Sequence, residues 1–292
     1  MTHLWNKDIE RNFFTESFKF ATPEQLFYVT DDNRYLAYWP KKYPGKKNTL
    51  QSRNSLIGRF TEKWTKDLIQ EIVQDKGLFA VQGAVCNEIA LPRNSPADVV
   101  ISRNRYIEQN PEDILAIFEV KMSVVWNWEF KINNSVEPFT CIGDYKTHKG
   151  TPGLLRSDSM LKAIGKSINI RVSNLKAATI PIIVLGNTPI TKSYYSKVDH
   201  LKSAGIVQNF WSINPEPLDN NGENIKQTEK KGFYRLEDFN ELRVSIESLL
   251  SETRNYFSSM KSNKELGKII DLANGEKTYE KKGEVFLKLI NE

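Results

Sequence analysis

Residues 114–118 read Ile-Leu-Ala-Ile-Phe, and Glu119, Val120 and Lys121 follow directly. An edge strand, or one with a single covered face, alternates apolar and polar residues. A run apolar on both faces belongs in the middle of a sheet covered above and below. Residues 180–186, IPIIVLG, have the same character. Helix-period segments surround these runs, which confines the chain to a layered α/β architecture. Leu56, Ile57, Phe60, Trp64, Leu68 and Ile72 predict an amphipathic helix over 55–74 with Ser55 as N-cap. Strands are expected at 79–90, 98–102, 114–122, 180–186 and 206–213, with helices at 156–172 (capped by Ser157 or Asp158) and 191–203. The stretch 126–153, with Gly143, Gly150, Pro152 and Gly153, reads as a polar irregular loop, and so does 214–232. From about 236 the pattern is helical. The expected layout is an aromatic and basic N-terminal arm over 1–54, a core over 55–213 with the inserted loop 126–153, and a polar loop with C-terminal helices over 214–292. Phe13, Phe14, Phe18 and Phe20 are expected in the core.

Of the 292 residues, 39% are hydrophobic and 26% charged, which excludes wholesale disorder. Two cysteines, Cys86 and Cys141, make neither a disulfide framework nor a four-cysteine zinc site. No run approaches the roughly 20 apolar residues of a membrane helix. The opening MTHLWNKDIERNFF carries acids and no apolar stretch, unlike a secretory leader, so a cytoplasmic protein is expected. The net charge of +5 hides two basic segments: residues 41–66 sum to +7 and residues 146–176 to +6, leaving the rest at −8. Clustered cations of this kind are the electrostatic footprint of nucleic-acid binding. Tyr35, Tyr38, Trp39 and Tyr43 interleave with Lys41, Lys42, Lys46 and Lys47, a mixture suited to stacking on bases or to packing as a layer on the core.

The chemistry concentrates between the basic segments. Pro96-Ala97-Asp98 opens one expected strand and Glu119-Val120-Lys121 ends the next. Side chains alternate along a strand, so Leu115, Ile117, Glu119 and Lys121 share a face that turns from apolar to charged. Such charges would be costly if buried alone, so this strand end is expected to open into a polar cleft. A neighbouring strand beginning at Asp98 can set a second carboxylate beside Glu119, and a divalent cation with oxygen ligands relieves their repulsion. Lys121 is then placed to meet a scissile phosphate or the attacking water. This is the outline of metal-assisted phosphodiester hydrolysis. A Glu-x-Lys pair on a solvated strand face with an unrelated turn aspartate is the plain alternative.

At these residues the chain resembles the PD-(D/E)XK nuclease superfamily, and in particular the type II restriction endonucleases. The motif is Pro96-(Ala97)-Asp98 with Glu119-Val120-Lys121, the alanine between proline and aspartate being a departure from the usual pattern. Gly58-Arg59-Phe60-Thr61-Glu62 resembles the Gly-x-x-x-Glu setting of an auxiliary acid on the preceding helix. The resemblance covers about half of the chain. It implies a restriction-endonuclease-like core, a mixed central sheet flanked by helices, carrying the N-terminal arm and a helical C-terminal extension. It further implies Mg²⁺ held by Asp98, Glu119 and the Val120 carbonyl, Lys121 as the activating lysine, and Glu62 as an accessory acid. Double-stranded DNA would be cut to 5′-phosphate and 3′-hydroxyl ends by a homodimer, in a prokaryotic cytoplasm, with a cognate DNA methyltransferase as functional rather than bound partner.

Lys41, Lys42, Lys46, Lys47, Arg53, Lys146, Lys149, Arg156, Lys162 and Lys166 are the candidate DNA contacts, Lys162 and Lys166 standing one helical turn apart. Trp126, Trp128, Asn133, Asn134, Thr147 and His148 offer groups for base edges. His3, His148 and His200 are too scattered for a zinc or HNH-type centre, Cys86 reads as core, and no phosphate-binding GxxxxGK[ST] loop occurs. A nuclease acting on DNA structure, a DNA-binding protein without catalysis and an interaction module remain alternatives.

Overall fold

The two doubly apolar runs become neighbours in the middle of one sheet. The computed structural model describes residues 3–45, 49–132, 136–218, 224–251 and 262–292. In chain order the elements are helices α1 (Lys7–Ser17) and α2 (Pro23–Leu26), strands β1 (Tyr28–Val29) and β2 (Tyr35–Leu36), and the long helix α3 (Gln51–Val73). Strands β3 (Phe79–Ala84), β4 (Ala97–Ser102), β5 (Ile114–Lys121), β6 (Asn127–Phe130) and β7 (Phe139–Gly143) follow. Then come helix α4 (Ser157–Ser173), strand β8 (Ile182–Gly186), helix α5 (Tyr195–Ser203), strands β9 (Asn209–Ser212) and β10 (Phe233–Arg235), and helices α6 (Phe239–Ser251), α7 (Asn263–Asn274) and α8 (Tyr279–Asn291).

The main sheet has the order β10-β9-β8-β5-β4-β3. β5 pairs in parallel with β8, Ile117 opposite Ile182 and Lys121 opposite Gly186. β8–β9 and β9–β10 are also parallel, whereas β3–β4 and β4–β5 are antiparallel, so the sheet is mixed. Helices flank both faces. Ala116 and Phe118 of β5 share a core with Ile69 and Ile72 of α3 and Leu242 and Ile246 of α6. On the other face Ile117 packs with Ile170 of α4, and Val184 with Met160, Ala163 and Val198. Ile114, Ile117 and Phe118 are at most 3% exposed. Each such side chain stabilises the fold by about 2 kcal/mol, which anchors a strand that ends on a buried carboxylate.

Residues 3–36 lie against α3. Trp5, Phe13, Phe14 and Phe27 are fully buried in the α3-side core, and Trp5 meets Phe60 and Trp64 edge-on. Phe18 packs partly against the same core, but Phe20, expected there, is 77% exposed, because α1 has ended and the chain turns it away from the apolar face.

The stretch 126–153 departs from expectation. It holds β6 and β7, which join β1 and β2 in a second, antiparallel sheet of order β1-β2-β6-β7. Its tryptophans, Trp126 and Trp128, are buried and unavailable to bases. His148 is buried too. Its ring stacks on Tyr38 at 3.9 Å, and its Nδ1 accepts from the Gly150 N–H, which leaves Nε2–H to donate to the Val125 carbonyl. Burial pulls its pKa down to about 4, so it stays neutral. The Thr147 hydroxyl is spent on the Asp144 carbonyl. Asn133 and Asn134 lie outside the described residues.

Helix boundaries also shift. α3 starts at Gln51, which puts Ser55 inside the helix, and Arg156 rather than Ser157 or Asp158 stands at the N-cap of α4. The strand expected over 79–90 stops at Ala84, where a 3-10 turn at Asn87–Ile89 takes over.

Candidate active site

β4 and β5 run antiparallel with Val99 opposite Phe118, and one step further along the same register sets Asp98 beside Glu119. The Asp98 carboxylate accepts the Val120 N–H through Oδ2 at 2.7 Å, fixing it across the strand pair. Lys121 Nζ donates to Glu119 Oε1 at 2.5 Å and to the Val120 carbonyl at 3.2 Å, and lies 3.6 Å from Asp98 Oδ2. Three expected site residues are therefore assembled at the end of β5, on the face covered by α4. Asp98, Glu119 and Lys121 side chains are 16%, 6% and 19% exposed, a partly open setting in which charge interactions are screened less than at a free surface.

A fourth member comes from α4. Lys166 was expected to face a phosphate backbone beside Lys162; instead its Nζ lies 2.7 Å from Glu119 Oε2 and 3.3 Å from Asp98 Oδ1, and donates to the Pro96 carbonyl at 2.8 Å. The Glu119 Oε2 contact is a charge pairing; no hydrogen bond of ordinary direction reaches that oxygen among the described residues. The physical reason is packing: α4 lies across β5, and the turn bearing Lys166 faces the sheet while Lys162 remains exposed. Burial pulls the Lys166 pKa down, but the charges of Asp98 and Glu119 outweigh it and hold the ammonium above its ordinary range. Two carboxylates thus face two ammoniums.

Glu62 approaches from α3. Its carboxylate accepts from Gln82 Nε2 at 3.2 Å, and burial, followed by the charge of Asp98, raises its pKa. No hydrogen bond joins it to Asp98 or Glu119 among the described residues, so it stands near the pair rather than in it.

Val120 and Lys121 border a cleft of about 680 Å³ between the two sheets and the first turns of α3 and α4, whereas Asp98 and Glu119 lie behind them, off its wall. Both basic segments contribute to its wall: Thr49, Arg53 and Asn54 from the first, Lys149, Arg156 and Lys162 from the second. Arg53 is not a surface contact. It is 4% exposed, its guanidinium donates to the Leu26 and Ala37 carbonyls, and it lies between the rings of Tyr28 and Tyr38. Arg156 and Lys162 both pair with Asp158 on the rim, and Lys149 reaches the Tyr43 carbonyl at 3.5 Å. Lys41, Lys42 and Lys146 are exposed. Lys46 and Lys47 lie outside the described residues. Arg171 and Lys176 of the second segment are engaged away from the cleft, with the Ile206 and Ala177 carbonyls and with Glu88 and Glu112.

The floor beneath Lys121 depends on a glycine. Gly153 has φ +54°, and a Cβ there would sit 2.8 Å from the Thr188 hydroxyl oxygen and 3.2 Å from the Lys121 carbonyl. Gly153→Ala is expected to destabilise the protein by about 1–2 kcal/mol through left-handed strain and crowding. Urea denaturation measures it, and a change below about 0.3 kcal/mol would contradict the reading.

The donors suit a hard cation. Asp98, Glu119 and the Val120 carbonyl are all oxygens, and they already converge on the Lys121 ammonium, an internal cation in the same seat. Mg²⁺ takes one or two carboxylates and keeps several waters, which this set allows. No group of three or more His, Cys, Asp or Glu side chains converges among the described residues, so the protein share would be two carboxylates and a carbonyl. No helix among the described residues is long and apolar enough to cross a membrane. Neither protein-family models, nor curated proteins, nor solved structures yield a match to this chain.

Proposed function

We propose that the protein is a Mg²⁺-dependent nuclease that cleaves double-stranded DNA at specific sequences, the activity of type II restriction endonucleases of the PD-(D/E)XK superfamily. The observation that carries this reading is that Lys121 lies within 3.6 Å of both Asp98 and Glu119 and borders a cleft whose wall also carries Lys149, Arg156 and Lys162. The succession α3, β3–β4–β5, α4, β8 supports it, being the order of a restriction-endonuclease-like core.

Asp98, Glu119 and the Val120 carbonyl would hold the ion, which when bound polarises a phosphoryl oxygen and lowers the pKa of a water. Lys121 lines the cleft, so its ammonium can leave the carboxylates for a phosphate oxygen of the substrate. Lys149, Arg156 and Lys162 on the rim neutralise backbone phosphates, which positions the duplex without reading it. Two such chains about a two-fold axis would cut both strands of a symmetric site.

Incubation with unmethylated plasmid and genomic DNA in Mg²⁺ is expected to yield discrete fragments, and EDTA to abolish them. A broad panel of unmodified DNA left uncut in both Mg²⁺ and Mn²⁺ rules the reading out. The balance of two carboxylates against two ammoniums favours one second reading, a DNA-binding protein of the same fold without catalysis; it predicts retention of duplex DNA with no cleavage and no bound Mn²⁺.

A further inference from the structure

We propose that Lys166 fills the position a second metal ion would take, so that the centre binds one divalent cation per chain. The proposal rests on the nuclease reading of the same site. The two carboxylates form two seats of like composition. Asp98 Oδ2, Glu119 Oε1 and the Val120 carbonyl surround Lys121 Nζ at 3.6, 2.5 and 3.2 Å. Asp98 Oδ1, Glu119 Oε2 and the Pro96 carbonyl surround Lys166 Nζ at 3.3, 2.7 and 2.8 Å. Each seat offers two carboxylate oxygens and one main-chain carbonyl, and each holds a positive charge. In two-metal phosphodiester hydrolysis the ions stand about 3.5–4 Å apart and act together on attacking and leaving oxygens. Two seats sharing the same pair of carboxylates have the composition such a centre needs.

Both lysine side chains are 19% exposed, and the seats differ in what surrounds the lysine. Lys121 borders the open cleft, which gives its ammonium somewhere to go. Lys166 is not among the residues bordering that cleft. Its helix is pinned to the sheet by Met160, Ala163 and Ile170, all at most 1% exposed. Charge points the same way. With Lys166 in place and Lys121 withdrawn, Asp98 and Glu119 keep a net −1, which attracts one divalent ion, whereas a second would leave an excess of positive charge in a largely buried site.

The test is the stoichiometry of Mn²⁺ on the full chain, read by electron paramagnetic resonance of the unbound ion and by calorimetry, with no cleavage required. The wild type is expected to bind one Mn²⁺ per chain. Lys166→Met, which keeps the stem and removes the charge, is expected to bind two, and Lys166→Arg one. Two ions on the wild type would overturn the proposal while leaving the nuclease reading intact, as would one ion on a Lys166→Met chain whose circular dichroism and melting show it folded. If Lys166→Met does not fold, the wild-type count decides alone. No Mn²⁺ on the wild type removes the nuclease reading together with the proposal.

Discussion

If the protein is the nuclease proposed, Asp98→Asn is expected to lower DNA cleavage by on the order of 10³-fold or more, because it removes one of the two carboxylates proposed to hold the metal ion. The substitution is chosen to spare the fold. An asparagine oxygen can still accept the Val120 N–H that Asp98 now accepts at 2.7 Å, so β4 and β5 remain tied. The charge of the site changes from balanced to net +1, since Lys121 and Lys166 then face Glu119 alone, and a divalent cation is repelled. Lys121→Ala is expected to abolish cleavage to a similar extent by the opposite route. It leaves the site at net −1, which retains Mn²⁺, but removes the ammonium that would meet the phosphate. The pair therefore separates two kinds of inactivity: one variant loses metal and activity together, the other loses activity alone. Time courses on a cleaved plasmid, with Mn²⁺ binding measured in parallel, check both. An Asp98→Asn protein that cuts within tenfold of the wild-type rate would remove Asp98 from the site.

What could be read ahead from the sequence was local. The run Ile114–Phe118 and the run at 180–186 announce central strands because burial on both faces leaves no polar position in either, and they prove to be hydrogen-bonded neighbours. Asp98, Glu119 and Lys121 were legible as a group because two adjacent strands and a two-residue period determine their mutual placement. The second sheet was not legible. β1 and β2 are two residues long, too short to show a period, and β2 finds its partner in distant sequence, Tyr35 opposite Phe130.

The basic residues show the same limit. Lys162 and Lys166 look alike on a helical projection, yet the placement of α4 over β5 sends Lys166 to the carboxylates and leaves Lys162 on the rim. Arg53 counts as one more charge in a basic run, while its surroundings, two tyrosine rings and two carbonyls, come from segments that sequence reading could not bring together. A cluster whose members lie on three elements becomes visible only when the elements are docked. Lys166 had one hint in the sequence, its position on the first helix after the motif strand, and that hint does not distinguish phosphate from carboxylate as the partner.

Glu10→Gln is expected to cost about 3 kcal/mol of stability near pH 5 and to lower the melting temperature by roughly 6–12 °C, although the residue lies outside the Asp98, Glu119 and Lys121 cluster. Glu10 is fully buried on α1 and has no cationic partner among the described residues. Four N–H groups converge on it: Trp5 Nε1 and the Val125 N–H on Oε1 at 3.0 and 2.6 Å, and the Trp126 N–H and Trp128 Nε1 on Oε2 at 3.2 and 3.0 Å. Near pH 5 the buried carboxyl carries its proton, and its hydroxyl oxygen can still accept, whereas the NH₂ of a glutamine accepts from neither of the two donors it meets and leaves both unsatisfied, at about 1–3 kcal/mol each. Val125 and Trp126 belong to the segment that leaves β5 just beyond Lys121, so the same side chain ties the N-terminal layer to the exit of that strand. The effect carries a pH signature. Burial outweighs the four hydrogen bonds and pushes the Glu10 pKa from 4.5 up to about 7. The folded state therefore holds this proton more tightly than the unfolded chain does. That stabilisation is complete below pH 4.5 and is lost as pH rises through 7. Glutamine does not titrate, so the stability gap between wild type and Glu10→Gln should be widest near pH 5 and narrower near pH 8. Denaturant unfolding of both proteins at the two pH values measures it. A gap that is the same at both, or one below about 0.5 kcal/mol throughout, would mean that Glu10 does not brace the exit of β5 in this way.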